Sequence, residues 1–390
     1  MNALSRIVLA RNVNSKVLNV LKYSTSGIAG DRWKGVVNNA EKVVGYPTSF
    51  LNLRWLLNDE ISNIALHITK LIGTNHPIIK IARDLLHQTD CPKWGLIILL
   101  VSKAAGINHK VAEIERDITS GILHNQRVLA EITEMIKTGH NLHNGMMKID
   151  DEDDNHNDLR FGNKIALLSG DYLYSKSFQE LAQLKNHSLN EIISTSLRDL
   201  AEAEFFRPRD SRRDILPHRP CIDKNLILSK TDPGPYDLNK YMGNSREEWI
   251  LRNLLNGVNL LAKSCKGALI LGEHPEFLQD KAYIFGRSLA LAWQANEETK
   301  PFLHKSFLPF TLVNAPVIFQ LESDPDMYDL LDASEIDYET IRSRVIEGEG
   351  VEKTMNLQME FVDDALEALE YFPESDARDS LVKIVRALEI

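Results

Sequence analysis

The sequence predicts an all-α fold, built as a single large domain, and three observations lead to it. Apolar residues recur at three- and four-residue intervals, as at Leu251, Leu254, Leu255, Val258, Leu261 and Cys265. The block Leu96-Ile-Ile-Leu-Leu-Val101 is apolar on every face, which in a helix means burial at the centre of a bundle. No stretch alternates apolar and polar residues in the two-residue period of a half-buried strand.

Composition narrows the function classes. The chain has 390 residues, 43% hydrophobic and 26% charged, enough for a sizeable core. Its net charge of −10 comes without a basic stripe, which argues against a nucleic-acid footprint. No apolar run reaches the length of a transmembrane helix, while peripheral contact with a membrane, the inner mitochondrial one included, stays open. Cys91, Cys221 and Cys265 lie far apart with no Cys-x-x-Cys pair, so neither a disulfide framework nor a zinc site is expected and a reducing compartment fits.

Residues 1–30 carry Arg6, Arg11, Lys16 and Lys22 and no acid, and end in Tyr23-Ser-Thr-Ser26. That basic, acid-free composition is expected of a mitochondrial transit peptide; a plain disordered arm is the alternative. From Ala40 helical spacing sets in: Leu51, Leu53, Leu56 and Leu57, then Ile61, Ile64 and Leu66, then Ile78 to Leu86. Leu129, Ile132, Ile136 and His143 mark an amphipathic helix ending at Leu142-His143-Asn144-Gly145. A polar loop, Met146 to Arg160, leads to a second helix with an apolar seam at Ile165, Leu168 and Tyr172 beside Gly170-Asp171. Residues 206–247, with Pro208, Pro217, Pro220, Pro233 and Pro235, cannot continue a helix. They are expected to be a disordered insertion or a partner-binding arm. Helical spacing returns through Leu251 to Cys265, again over Phe285 to Gln294, and last, after Pro373, from Ala377 to Leu388.

The run Phe161-Gly-Asn-Lys-Ile-Ala-Leu-Leu-Ser-Gly-Asp-Tyr-Leu173 resembles the signature of the all-helical trans-prenyl diphosphate synthases, and the likeness extends over roughly residues 40–390. Ala40 to Phe50, Leu261-Ala-Lys-Ser-Cys265 and Ala365 to Glu370 are similar to the second-subunit branch of the decaprenyl-type synthases of ubiquinone biosynthesis. The resemblance implies an isoprenoid-synthase-type helical bundle and a reaction that elongates an allylic diphosphate with isopentenyl diphosphate. That reaction gathers Mg²⁺ on carboxylates to neutralise the departing diphosphate, since hard Mg²⁺ takes oxygen ligands.

Against the family's pattern this chain departs at each chemical position. Where the first Asp-Asp-x-x-Asp follows Leu142-His143, the chain has Asn144, Gly145 and, further on, Lys148. The run Asp150-Asp-Glu-Asp-Asp154 fits that pattern literally, but its register puts Asp150, Asp151 and Asp154 in the loop. At the second motif Glu297 and Glu298 stand for two acids and Pro301 for the third, next to Lys300, so exposed charges at a helix end are expected. The family's diphosphate anchors meet Asp90-Cys-Pro-Lys-Trp-Gly95, a lone Arg160 and Asn256-Gly257. Gly139 is small where short-chain members of the family place a bulky floor residue, and His143 is expected to cap its helix end rather than act as a base.

The resemblance therefore implies a non-catalytic subunit, without catalytic residue, metal or cofactor of its own, in a mitochondrial heterodimer or heterotetramer. Its partner, a catalytic polyprenyl diphosphate synthase subunit, would hold the Mg²⁺, and the docking face expected is Leu129, Ile132, Ile136, Ile165 and Leu168. The alternative is a self-sufficient synthase with Asp150, Asp151, Asp154, Glu297 and Glu298 as unusual ligands.

Overall fold

The structure, a computed structural model, describes residues 26–45, 93–108, 121–147, 157–210, 214–220, 226–231, 234–303, 308–333 and 336–389. The proposed transit segment, the apolar spacing at 51–66 and 78–86, and the acidic run at 150–154 fall outside the described residues, apart from the last few residues of the arm.

The all-α expectation holds. In chain order come α1 (Ser26–Val44), α2 (Trp94–Ala105), α3 (His124–Asn144), α4 (Asn157–Gln183) and α5 (His187–Glu202). After the proline-rich stretch follow α6 (Leu238–Tyr241), α7 (Ser245–Asn253), a π-helical turn at Leu254–Val258, α8 (Asn259–Leu271) and α9 (Glu276–Leu303). The chain closes with α10 (Ala315–Ser323), α11 (Tyr328–Leu331), α12 (Tyr338–Glu347), α13 (Gly350–Leu369) and α14 (Asp376–Arg386). Among the described residues the only β feature is an isolated antiparallel bridge, Arg209 to Ile215.

Helix starts follow their capping residues. Asn186, Asn244 and Ser375 each accept a hydrogen bond from the N–H three residues on, and Asp337 accepts from both Glu339 and Thr340. Two buried carboxylates cap helices other than their own. Glu134 of α3 accepts from the Gly95 N–H at 2.8 Å at the start of α2, and Glu298 of α9 accepts from the Ala315 N–H at 2.6 Å at the start of α10.

Helix α2 is buried on all sides, as its uniform apolarity requires, and packs on α3, α8 and α14. The pairs α9–α13, α3–α4 and α8–α9 form the other main contacts of the bundle. Where α3 and α4 meet, Gly139 and Gly170 let the two backbones approach. A Cβ on Gly170 would lie 2.3 Å from the His143 Nε2.

That close approach corrects two expectations. The inner face of α4 is small, with Ala166, Ser169 and Gly170 buried beside Ile165 and Leu173, so Leu168 turns outward and is 54% exposed next to exposed Leu167. Leu129, Ile132 and Ile136 are sealed in the core of this chain and offer no docking face. The α4 helix also begins at Asn157, before Phe161, and Asn163 fastens the preceding loop by exchanging hydrogen bonds with the Met147 N–H and carbonyl.

The described residues of the 206–247 stretch are not a free arm. Carboxylates and a guanidinium of α7 hold their backbone: Glu247 accepts from the Leu228 N–H, Glu248 from the His218 and Gly243 N–H groups, and Arg252 donates to the Leu216 carbonyl. Phe206, Leu228 and Met242 are buried in the main core. A pattern of apolar periodicity could not show this, because the packing is made by backbone groups reaching buried side chains.

Candidate functional site

A cavity of about 1060 Å³ opens between the C-terminal end of α3, helix α5, the π-helical turn, the end of α9 and the loop before α10. It holds both degenerate motif positions, Asn144 on one wall and Glu297, Glu298 and Pro301 on the other. The fold thus brings together what the chain separates by more than a third of its length, because α3 and α9 both pack on α8.

At the α3 end the polar groups lie within hydrogen-bonding distance of each other, and the His140 tautomer sets which of two amides is bonded. Asn144 Nδ2 lies 3.0 Å from the His140 Nε2, one helical turn earlier, and the same ring nitrogen is 3.1 Å from the Asn256 Oδ1 on the π-helical turn. The non-helical residues Asn256 and Gly257 produce that bulge, Gly257 at φ +118. Burial lowers the His140 pKa, which favours the neutral imidazole. His143 does not cap α3. Its ring crosses to α4, where Nε2 reaches the Leu167 carbonyl at 3.2 Å and the Asp171 Oδ1 at 3.3 Å, with Tyr174 packed edge-on.

At the α9 end the expectation of exposed charges fails for Glu298. Helix α9 runs on past it to Leu303, so Glu298 is buried. It accepts from the Trp249 Nε1 at 2.7 Å, the Ala315 N–H at 2.6 Å and the Gln294 Nε2 at 2.8 Å. Desolvation raises its pKa in spite of these three bonds, which act to lower it. Glu297 pairs with Lys300 one turn on.

Two arginines line the cavity, both bonded within the chain, but the buried Arg252 Nη1 is left without a hydrogen-bond partner. Arg252 donates from Nε and Nη2 to the Glu248 Oε1 at 3.0 and 2.7 Å and stacks over Phe206. Arg209 donates to the Phe206 carbonyl at 3.1 Å and to the Glu204 carbonyl. Near the family's other anchor positions, Lys93 is half-buried, Trp94 carries Lys137 over its ring at 4.2 Å, and Arg160 is exposed. The described donor set does not fit Mg²⁺: no three His, Cys, Asp or Glu side chains converge among the described residues, and Glu298 already has three protein donors. Lys148, Asp150, Asp151 and Asp154 lie outside the described residues.

Sequence reasoning missed the buried polar layer behind the cavity. Lys263 and Asp199, both fully buried, form an ion pair that Thr195 and Asn259 complete. A lysine on an otherwise apolar face, within Leu261-Ala-Lys-Ser-Cys265, was the available signal. Beside it Thr133 bonds Ser264 at 2.8 Å across α3 and α8, and burial pushes the Cys265 thiol pKa up.

The fold is that of the isoprenoid-synthase helical bundle. It matches a decaprenyl diphosphate synthase from Rhodobacter capsulatus with a TM-score of 0.57 at 16% identity, covering 93% of this chain and 98% of that one. A medium/long-chain prenyl pyrophosphate synthase from Arabidopsis matches at 0.53 and 20% identity, over 85% and 97%. No family model matches the chain. Among curated proteins, human all trans-polyprenyl-diphosphate synthase PDSS2 is 36% identical over 371 residues, 91% of this chain and 87% of that protein. Mitochondrial hexaprenyl pyrophosphate synthase of Saccharomyces cerevisiae is 30% identical over 299 residues, 67% and 62%. The chain belongs to the all-trans-polyprenyl diphosphate synthase family.

Proposed function

We propose that this chain is the non-catalytic subunit of a heteromeric all-trans-polyprenyl diphosphate synthase, paired with a catalytic subunit that binds the Mg²⁺. The observation that carries the reading is Glu298. The acid that a metal would need is held by an indole N–H, an amide and a helix start, and the first-motif position that lines the same cavity is Asn144, with no carboxylate cluster among the described residues. The assembly joins isopentenyl diphosphate to an allylic diphosphate to make the side chain of ubiquinone. The mitochondrial names of the fungal relatives support a mitochondrial address, and we place the assembly in the matrix.

The partner docks on the outer face of α4, where Leu167, Leu168 and Phe178 are each more than 40% exposed. Obligate interfaces of this kind are large and apolar at their centre. The chain is to be expressed alone and together with the catalytic subunit, and chain elongation assayed with Mg²⁺. Elongation by the pair, none by this chain, and loss of both co-purification and activity on Leu168→Asp with helicity unchanged is the expected result. Turnover by the isolated chain, abolished by Asp150→Ala with Asp151→Ala, would overturn it in favour of a self-sufficient synthase.

A further inference from the structure

The outer face of α4 carries more than apolar area, and the order of its residues says what it fits. At 3.6 residues per turn, Arg160, Lys164, Leu167, Leu168, Asp171 and Ser175 fall within about 100° of arc, and all six are exposed. Leu167 and Leu168 stand in the middle, 43% and 54% exposed. Lys164 lies on one side of them, with no ion-pair partner among the described residues. Asp171 lies on the other, its side chain 59% exposed although one oxygen is 3.3 Å from the His143 Nε2.

This order is self-complementary. When a second α4 is turned end for end about a point midway between Leu167 and Leu168, Leu167 of each chain meets Leu168 of the other. The same operation sets Lys164 opposite Asp171 and the long Arg160 opposite the small Ser175. Each match occurs twice, as two-fold symmetry requires. With a rise of 1.5 Å per residue, the two Lys164–Asp171 pairs sit only about 5 Å along the axis from the centre, well inside the contact of two packed helices. A parallel alignment would instead set Lys164 against Lys164 and Asp171 against Asp171, which opposes association.

We propose that α4 pairs two copies of this chain in an antiparallel, two-fold homodimer closed by reciprocal Lys164–Asp171 bridges, and that the catalytic subunit competes with the second copy for this face. This rests on the reading of α4 as the docking face and deepens it by adding a control on assembly. One helical stripe buries less than a standard interface, so the homodimer is weak and yields to a partner that covers more surface. Pairing also covers leucines that an unassembled subunit would expose.

The test is sedimentation equilibrium of the full chain across the micromolar range, alone and with the catalytic subunit. The native chain is expected to distribute between monomer and dimer. Lys164→Asp and Asp171→Lys should each weaken self-association about tenfold with the circular dichroism spectrum unchanged, since each sets like charges across the two-fold axis. Mixed in equal amounts, the two variants should associate with each other about as well as the native chain does with itself, because one presents two acids and the other two bases. Adding the catalytic subunit should dissociate the native homodimer in step with heteromer formation.

A chain that stays monomeric throughout, yet co-purifies with its partner and is required for elongation, would overturn the proposal and leave the subunit reading standing. Failure of the mixed variants to associate would overturn the crossing. A homodimer retained whole within the active heteromer would overturn the competition. A homodimer that elongates chains unaided would overturn the subunit reading, and the competition with it, while leaving the pairing in place.

Discussion

At the α3 end of the cavity amide and imidazole groups lie within hydrogen-bonding distance near the surface, the His140 Nε2 accepting from Asn144 in one tautomer and donating to Asn256 in the other. At the α9 end a carboxylate remains, but it is buried and bonded to Trp249, Gln294 and the start of α10. The two ends face the same space and differ in what their polar atoms are for. A carboxylate surrounded by protein donors serves the fold, whatever motif it belongs to, because removing it from those donors would leave buried N–H groups unsatisfied. Glu134 at the start of α2 and Glu247 and Glu248 beneath the proline-rich stretch show the same use. These four buried acids hold backbone, whereas buried Asp199 is held by the side chains of Lys263 and Asn259.

The largest effect that would break this contrast is at Glu298. Glu298→Ala orphans the Trp249 and Ala315 donors and should cost about 3 kcal/mol in denaturant unfolding. A loss no larger than that of Asn144→Ala would show that the two ends are alike. Next comes the α3–α4 crossing. Gly170→Val puts a Cβ into the His143 ring and should cost about 2 kcal/mol. Combining it with His143→Ala should recover part of that loss, a non-additivity that a mere helix-propensity effect would not produce.

A smaller effect concerns pH. Burial holds the Glu298 pKa above that of an ordinary glutamate. Between the unfolded and the folded value, the folded chain keeps a proton that the unfolded chain has lost, so stability falls as pH rises through that window. Thermal melts from about pH 4 to about pH 8 should show this decline in the native chain and a flatter profile in Glu298→Gln. A decline of equal size in both would assign it to other groups. The smallest effect is Asn144→Ala, less than about 0.5 kcal/mol for an exposed side chain whose partner is one turn away on the same helix.

Much of the architecture was legible in the chain itself. The all-round apolarity of Leu96–Val101 placed α2 at the centre, and the spacing from Ala377 to Leu388 found α14 to within two residues of its end. The motif positions Asn144, Glu297 and Glu298 were named from register and do line one cavity. The burial of Glu298 was not legible, because its donors come from Trp249 and Ala315, on separate helices. Nor was the outward turn of Leu168, since the apolar spacing of α4 counts leucine as an inner residue, whereas the close crossing at Gly139 and Gly170 selects Ala166 and Ser169 instead.

The sequence by itself therefore determined the all-α class, several of the helices and the family, because these depend on spacing along one chain and on a run of residues that can be read without knowing what faces it. Only the tertiary structure decided which face of α4 stays exposed, which arginine nitrogens are bonded within the chain, and that Glu298 caps the start of α10. Each of those depends on the distance between groups far apart in sequence, and hydrogen bonding and desolvation change steeply over a few ångströms.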